Sequence, residues 1–292
     1  MIIKNMKTIT ALWMIAALIG FLESPANAQE SDITSGPGTL KATQPEVTTR
    51  GTARTQTNWN IDYMYGNISY SEPGLMRDSG SMNGFAAAYT FAFADNPTLF
   101  RIEGEYMYGY LSYDGSTWDG TPISSPTQDN LANVRALMGF QGLIGSHFNL
   151  IPIFGLGARY LNDYTQGAGG YEREITYYYA PVGLSARVSI NDRWTASVSG
   201  EYDTFISGTV VSHLGDSNPA YSTVQNNQSS GYGYRVAMGF ERSFDTWSLR
   251  AQPYVQYWNI QQSDIQPLTK TQIVYEPTND STMYGLDIAL IF

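Results

Sequence analysis

The chain's last stretch, Tyr284-Gly285-Leu286-Asp287-Ile288-Ala289-Leu290-Ile291-Phe292, decides how the rest is read. Tyr284, Leu286, Ile288, Leu290 and Phe292 take alternate positions, with Gly285, Asp287, Ala289 and Ile291 between them. Neighbouring side chains of a strand point to opposite faces, so this period of two sets a bulky apolar row against a small or charged one. Working backwards, the same alternation marks nine more segments: 58–70, 81–94, 98–113, 131–144, 148–161, 175–190, 194–208, 231–244 and 247–262. Most are of the length a tilted strand needs to cross a bilayer.

The connections alternate in length. Asp95-Asn96-Pro97, Gly145-Ser146-His147, Asn191-Asp192-Arg193 and Asp245-Thr246 are short and rich in turn formers. Polar linkers near 71–80, 114–130, 162–174, 209–230 and 263–278 are long. Ten strands with short turns at one end and long loops at the other form the pattern of a membrane barrel, with both termini on the turn side.

A soluble sandwich or lectin-like domain is the competing arrangement, and the outward side chains decide between them. In the second segment Phe85, Ala87, Tyr89, Phe91 and Phe93 share one face, while Gly84, Ala86, Ala88, Thr90 and Ala92 share the other. A sandwich would turn Lys and Glu outward, yet the chain holds only four Lys. Trp59, Phe148, Trp194 and Trp247 fall at the turn ends of segments. Tyr110, Tyr160, Tyr178, Tyr202, Tyr234 and Tyr257 fall towards the loop ends, as two interfacial aromatic girdles would.

Composition removes other classes. No window beyond the leader approaches the apolar run of a membrane-spanning helix. A net charge of −10 argues against nucleic acid as a partner. With no Cys and two His, thiolate chemistry, disulfides and multi-His metal sites fall away, and neither a cofactor nor a metal is expected.

Residues 1–28 read as an export signal: Lys4 and Lys7, an apolar run, then Ala26-Asn27-Ala28 before Gln29. Residues 29–57 hold no aromatic residue and little to bury, which predicts a disordered periplasmic segment. The expected fold is therefore all-β, a ten-stranded antiparallel transmembrane β-barrel over 58–292 behind these two segments.

With the bulky apolar rows facing lipid, the intervening charges face the lumen. They are Asp62, Arg101, Glu103, Glu105, Arg135, Arg159, Arg187, Glu201, Asp203, Arg235, Glu241, Arg250 and Asp287. Six Arg against seven carboxylates predicts an interlocked network, because ions in a confined space need partners and the guanidinium fork suits carboxylates. So near a balance of signs favours a plugged lumen over a pore, and ten strands lie near the size at which side chains fill a barrel.

An ending on Phe292 after such alternation resembles the C-terminal signature of bacterial outer-membrane barrels, which implies delivery to the barrel assembly machinery. Outer-membrane lipid and lipopolysaccharide are then the expected surroundings. The ten-strand layout with five long loops resembles the omptins, outer-membrane proteases. That resemblance implies an acidic pair and an Asp-x-His pair acting on a water at the barrel rim. The second loop offers Asp114 and Asp119, five apart rather than adjacent, and the fourth offers His213 and Asp216 in the reverse order. These four are the candidate catalytic residues, although Asp is also an ordinary turn residue.

Gly167-Ala168-Gly169-Gly170 lacks the strand-to-helix junction of a phosphate cradle, and Thr278-Asn279-Asp280-Ser281 lacks the ligand series of a calcium loop. The fourth loop, with His213, Tyr221 and 225–228, and the second, with Trp118, carry groups suited to an extracellular ligand. The expected role is a structural or surface-interaction (adhesin-like) protein. A narrow channel for small solutes and an omptin-like protease are the alternatives.

Overall fold

The computed structural model describes residues 54–93, 96–116, 120–144 and 146–292; the expected export signal, and all of the 29–57 segment before Arg54, lie outside the described residues. Ten long strands make the barrel: β1 (Asn58–Glu72), β2 (Met76–Ala92), β3 (Thr98–Ser116), β4 (Pro122–Phe140), β5 (Phe148–Thr165), β6 (Glu172–Ser189), β7 (Trp194–Ser212), β8 (Gly231–Ser243), β9 (Ser248–Ile260) and β10 (Asn279–Ile291). Each pairs antiparallel with the next, and β10 pairs with both β9 and β1, so the sheet closes into a ring. At the seam Phe292 donates its N–H to the Trp59 carbonyl (2.9 Å) and Trp59 donates to that of Phe292 (3.1 Å). Closure matters because a lipid-facing sheet edge would leave backbone groups without partners.

The outward rows are those the alternation predicts. Ile61, Phe85, Ile102, Leu156, Val182, Val198, Phe240 and Leu290 are all exposed, Phe85 to 65%. Towards the loop end this apolar band stops at a line where outward tyrosines hand over to amides and carboxylates. Tyr63 donates to Asn83 (2.6 Å), Tyr106 to Asn130 (2.7 Å) and Tyr160 to Glu174 (2.9 Å). A phenol suits such a boundary, with its ring in hydrocarbon and its hydroxyl among polar groups.

Strands β1 to β7 run further at the loop end than the alternation suggests. β1 and β2 are joined by only 73–75, where Gly74 takes a φ of +78° that a side chain would strain, rather than by a linker over 71–80. Loops 114–130 and 162–174 likewise shrink as β3 to β6 extend into them. Beyond the apolar band both faces of a strand are polar, so the contrast that reveals a strand fades while its hydrogen bonds continue.

The interior is layered. A charged layer fills the turn half. Above it lies an apolar layer containing Met64, Met82, Met107, Leu131, Leu161, Ile175, Tyr177, Tyr179, Tyr254 and Trp258, all buried. Over that sits a second charged group around Arg173. The large rings of the middle layer fit because several face a glycine directly across the sheet: Tyr179 opposite Gly157, Trp258 opposite Gly233, Tyr254 opposite Gly285 and Tyr177 opposite Gly208. A Cβ on Gly233 would stand 2.8 Å from the Trp258 indole, and one on Gly157 would meet the Tyr179 ring at 2.3 Å.

Substituting Gly233→Val is expected to lift Trp258, which is 2% exposed, out of its seat. Its fluorescence should move to the red, and urea unfolding in vesicles should show a loss of about 1–3 kcal/mol, as overpacking brings.

Candidate functional site

All thirteen predicted lumen charges point inward, and eleven of them form ion pairs. Arg135, on β4, holds Glu103 on the neighbouring β3, with Nε to Oε1 at 2.6 Å, and reaches across the barrel to Glu201 on β7. Arg101 adds a second guanidinium to Glu103 (2.6 Å). Arg235 on β8 spans to Glu105 on β3 and also meets Asp287, each at 3.5 Å. Arg187 meets Glu241 at 3.2 Å and Arg250 meets Asp62 at 3.3 Å. Such ties hold opposite walls together, because a guanidinium offers several donors in a fixed plane.

Two predicted members do not join. Among the described residues Asp203 and Arg159 form no ion pair, and the Arg159 guanidinium, at the boundary of the apolar layer, lies by the faces of Tyr177 (5.8 Å) and Trp258 (6.0 Å). A desolvated guanidinium gains something from such rings, but less than from a carboxylate.

The interior charges at the loop end are absent from the predicted set, because their positions fall in the linkers of the sequence reading. Arg173 bonds Glu72 across the barrel (2.8 Å) and Asp163 (2.7 Å), with Glu276 at 3.6 Å and Asp78 at 3.8 Å. Asp129 stands opposite Asp163 in register. Period-two spacing carried inward from Ile68 through Tyr70 to Glu72, or from Ile175 to Arg173, was the signal available for them.

Glu276 comes from the loop between β9 and β10. Burial, together with the charge of Glu72, pushes its carboxyl up to about 7 against the pull of Arg173. In the same loop Asp264 accepts from the backbone N–H (2.7 Å) and the amide (2.9 Å) of Asn227, and these bonds hold its carboxyl below the usual range. Asn227 belongs to a short strand, Val224–Gln228, that folds back onto β7. Leu214, Val224 and Leu268 make a small apolar core there with Tyr171, Tyr221 and Val274. Loops four and five are thus a folded cover.

Of the four catalytic candidates, the three described ones are not brought together by side-chain contacts. Asp114 is an exposed position at the end of β3, in register with Arg77, and Asp119 lies outside the described residues, as does Trp118. Asp216 is exposed in the turn Leu214–Asp216, and its contact with His213 is through backbone, N–H to carbonyl at 3.0 Å. The His213 ring instead meets Glu174 (3.0 Å) and Thr223 (3.3 Å). Glu174 is on the outer face of β6, so this pair lies on the barrel wall rather than over the lumen.

A cavity of about 210 Å³ lies in the turn half of the lumen. Its wall includes Arg101, Arg187, Arg235 and Arg250 beside Asp62, Glu105, Glu201 and Asp287, with small residues such as Ala86, Ser185 and Ser199 between them. Among the described residues no group of three His, Cys, Asp or Glu side chains is disposed to hold a metal ion.

No protein-family profile and no curated protein matches the sequence. Among solved structures, the outer membrane protease OmpT from Escherichia coli superposes with a TM-score of 0.56 at 10% identity, covering 82% of this chain and 97% of that one. The transport unit of the autotransporter AIDA-I from Escherichia coli gives 0.44 at 10% identity, over 80% and 90%. OprG from Pseudomonas aeruginosa gives 0.36 at 9%, over 82% and 98%. The last two scores carry no weight, and the first shows a shared fold only. That fold is a closed, ten-stranded antiparallel barrel of the outer-membrane type.

Two contrasts test the charge arrangement. Arg135→Met should cost about 3–5 kcal/mol in urea unfolding, because Glu201 loses its cation and Glu103 keeps only Arg101, whereas Arg159→Met should be neutral or stabilising. For Glu276, a carboxyl that keeps its proton longer when folded contributes stability at low pH, and this is lost as pH rises from 4.5 through about 7. Glu276→Gln should match the parent at pH 5 and exceed it at pH 8, as compared in the same unfolding assay.

Proposed function

We propose that this chain is a closed-lumen barrel of the bacterial outer membrane that works from its loop face as a surface-interaction protein. One observation carries the closed lumen: the apolar layer from Met64 to Trp258 lies across the barrel between two charged layers. An ion on that path would leave water for a wall that is apolar apart from groups such as Arg159 and Asn133 at its edge, which costs several kcal/mol even after relaxation. The cross-lumen ties Arg135–Glu201 and Arg173–Glu72 brace the wall on either side of the layer.

The loop face supports the second half of the reading. The fifth loop forms a hairpin of Gln266–Pro267 with Ile273–Val274. Its inner face is seated through Leu268 and Glu276, while Ile265, Ile273 and Tyr275 are exposed. Large apolar side chains held outward on an ordered hairpin beyond the membrane suit contact with another macromolecule. A protease reading has no such support, because the carboxylate beside His213 faces away from the lumen.

Planar-bilayer recordings of the purified chain should show no stable conductance. A variant carrying Met107→Gly, Tyr179→Gly and Trp258→Gly, still running as a folded band when unboiled, should conduct. Steady channels in the parent would overturn the closed lumen. Replacing 265–275 by a short Gly-Ser link should abolish adhesion of expressing cells to host cells or matrix, and unchanged adhesion would overturn the loop-face role.

A further inference from the structure

The turn-end cavity has two walls of unequal quality. On the β3–β4 side the guanidiniums are well used: Arg101 donates to Glu103, Thr90 and Asn60, and Arg135 holds both Glu103 and Glu201. On the opposite side, among the described residues, Arg187 donates only to Glu241 and Arg250 only to Asp62, each through a single nitrogen at 3.2 and 3.3 Å. A guanidinium has five N–H donors, so each of these two leaves most of its fork without an acceptor, and both line the cavity.

The sheet brings them together. Ser197 on β7 stands opposite Arg187 on β6 and also opposite Gly239 on β8. A Cβ on Gly239 would lie 2.5 Å from the Ser197 hydroxyl, 3.5 Å from Cδ of Arg250 and 3.6 Å from the Gln252 amide oxygen. Gly239 thus leaves room for the Ser197 hydroxyl and the Arg250 stem, and the cavity wall on this side is formed by Arg187, Arg250, Gln252 and Ser199. Arg250 stands among charges of both signs, with Asp62 and Glu241 attracting it and Arg101 and Arg187 repelling it.

We propose that this cavity binds a small oxyanion, held by the forks of Arg187 and Arg250. The chemistry is that of a compact, multiply accepting group, a phosphate or a short carboxylate, taken up by forked donors. The cavity, of about 210 Å³, has room for an ion of that size. Since the apolar layer closes the lumen above it, the ion enters from the turn end. The site is independent of the loop-face role.

The test is calorimetric titration of the full chain in detergent with inorganic phosphate, and separately with acetate, at constant ionic strength set by chloride. Saturable binding of phosphate, acetate or both is expected, and which of them binds names the class. Arg187→Lys and Arg250→Lys keep the charge but lose the fork, so each should weaken binding about tenfold. Arg77→Lys, on the outer wall, should change nothing. Unboiled gel mobility reports whether each variant is folded. Binding absent from the parent, or equal in the folded Lys variants, would overturn the site.

Discussion

Everything in this structure depends on the closing of the sheet upon itself. A strand in hydrocarbon can satisfy its backbone only through its neighbours, so the first and last strands must meet. Here they do so along most of their length, from Asn60 opposite Ile291 to Ser71 opposite Asp280, and the seam is finished by the mutual bonds of Trp59 and Phe292. Once the ring is closed, inside and outside become different solvents, and each residue's chemistry follows from its parity. Outward residues are bulky and apolar at membrane height. Inward ones must fill a narrow space without leaving a charge alone.

The inward residues meet that demand by layers. At the turn end, cations and anions are interleaved, and Arg135 ties two carboxylates that stand on different walls. At the loop end one guanidinium, Arg173, gathers Glu72 and Asp163, and a loop carboxyl, Glu276, is drawn in beside them. Between the two lies a zone of methionines, aliphatics and rings. The layers do different work: salt links hold walls at a fixed span, and the apolar zone separates the two wet ends.

Much of this was legible in the sequence, and the boundary of legibility has a physical cause. Alternation reveals a strand wherever its two faces meet different surroundings, as in Phe85 to Phe93 or Tyr284 to Phe292. The inward charges of the turn half followed from the same parity. Asp78, Asp163 and Arg173 were hidden because, above the membrane, their strands carry polar groups on both faces. The middle layer was hidden for the opposite reason. Around Met107 and Trp258 both faces carry large apolar or aromatic groups, so spacing alone cannot say which points in. Within the candidate catalytic set His213 turns away from Asp216: nothing in Val211-Ser212-His213 tells that the imidazole will turn to Glu174 on the wall of the preceding strand.

The seating of rings against glycines has an evolutionary corollary. Each of these glycines is space reserved for a side chain on another strand, so neither position is free to drift by itself. A lineage that gains a methyl group at Gly157 must shed bulk at Tyr179, and one that trims Trp258 leaves Gly233 facing a void. Among descendants of this chain, such positions should change in tandem or stay fixed, even where the surrounding loops have diverged beyond alignment.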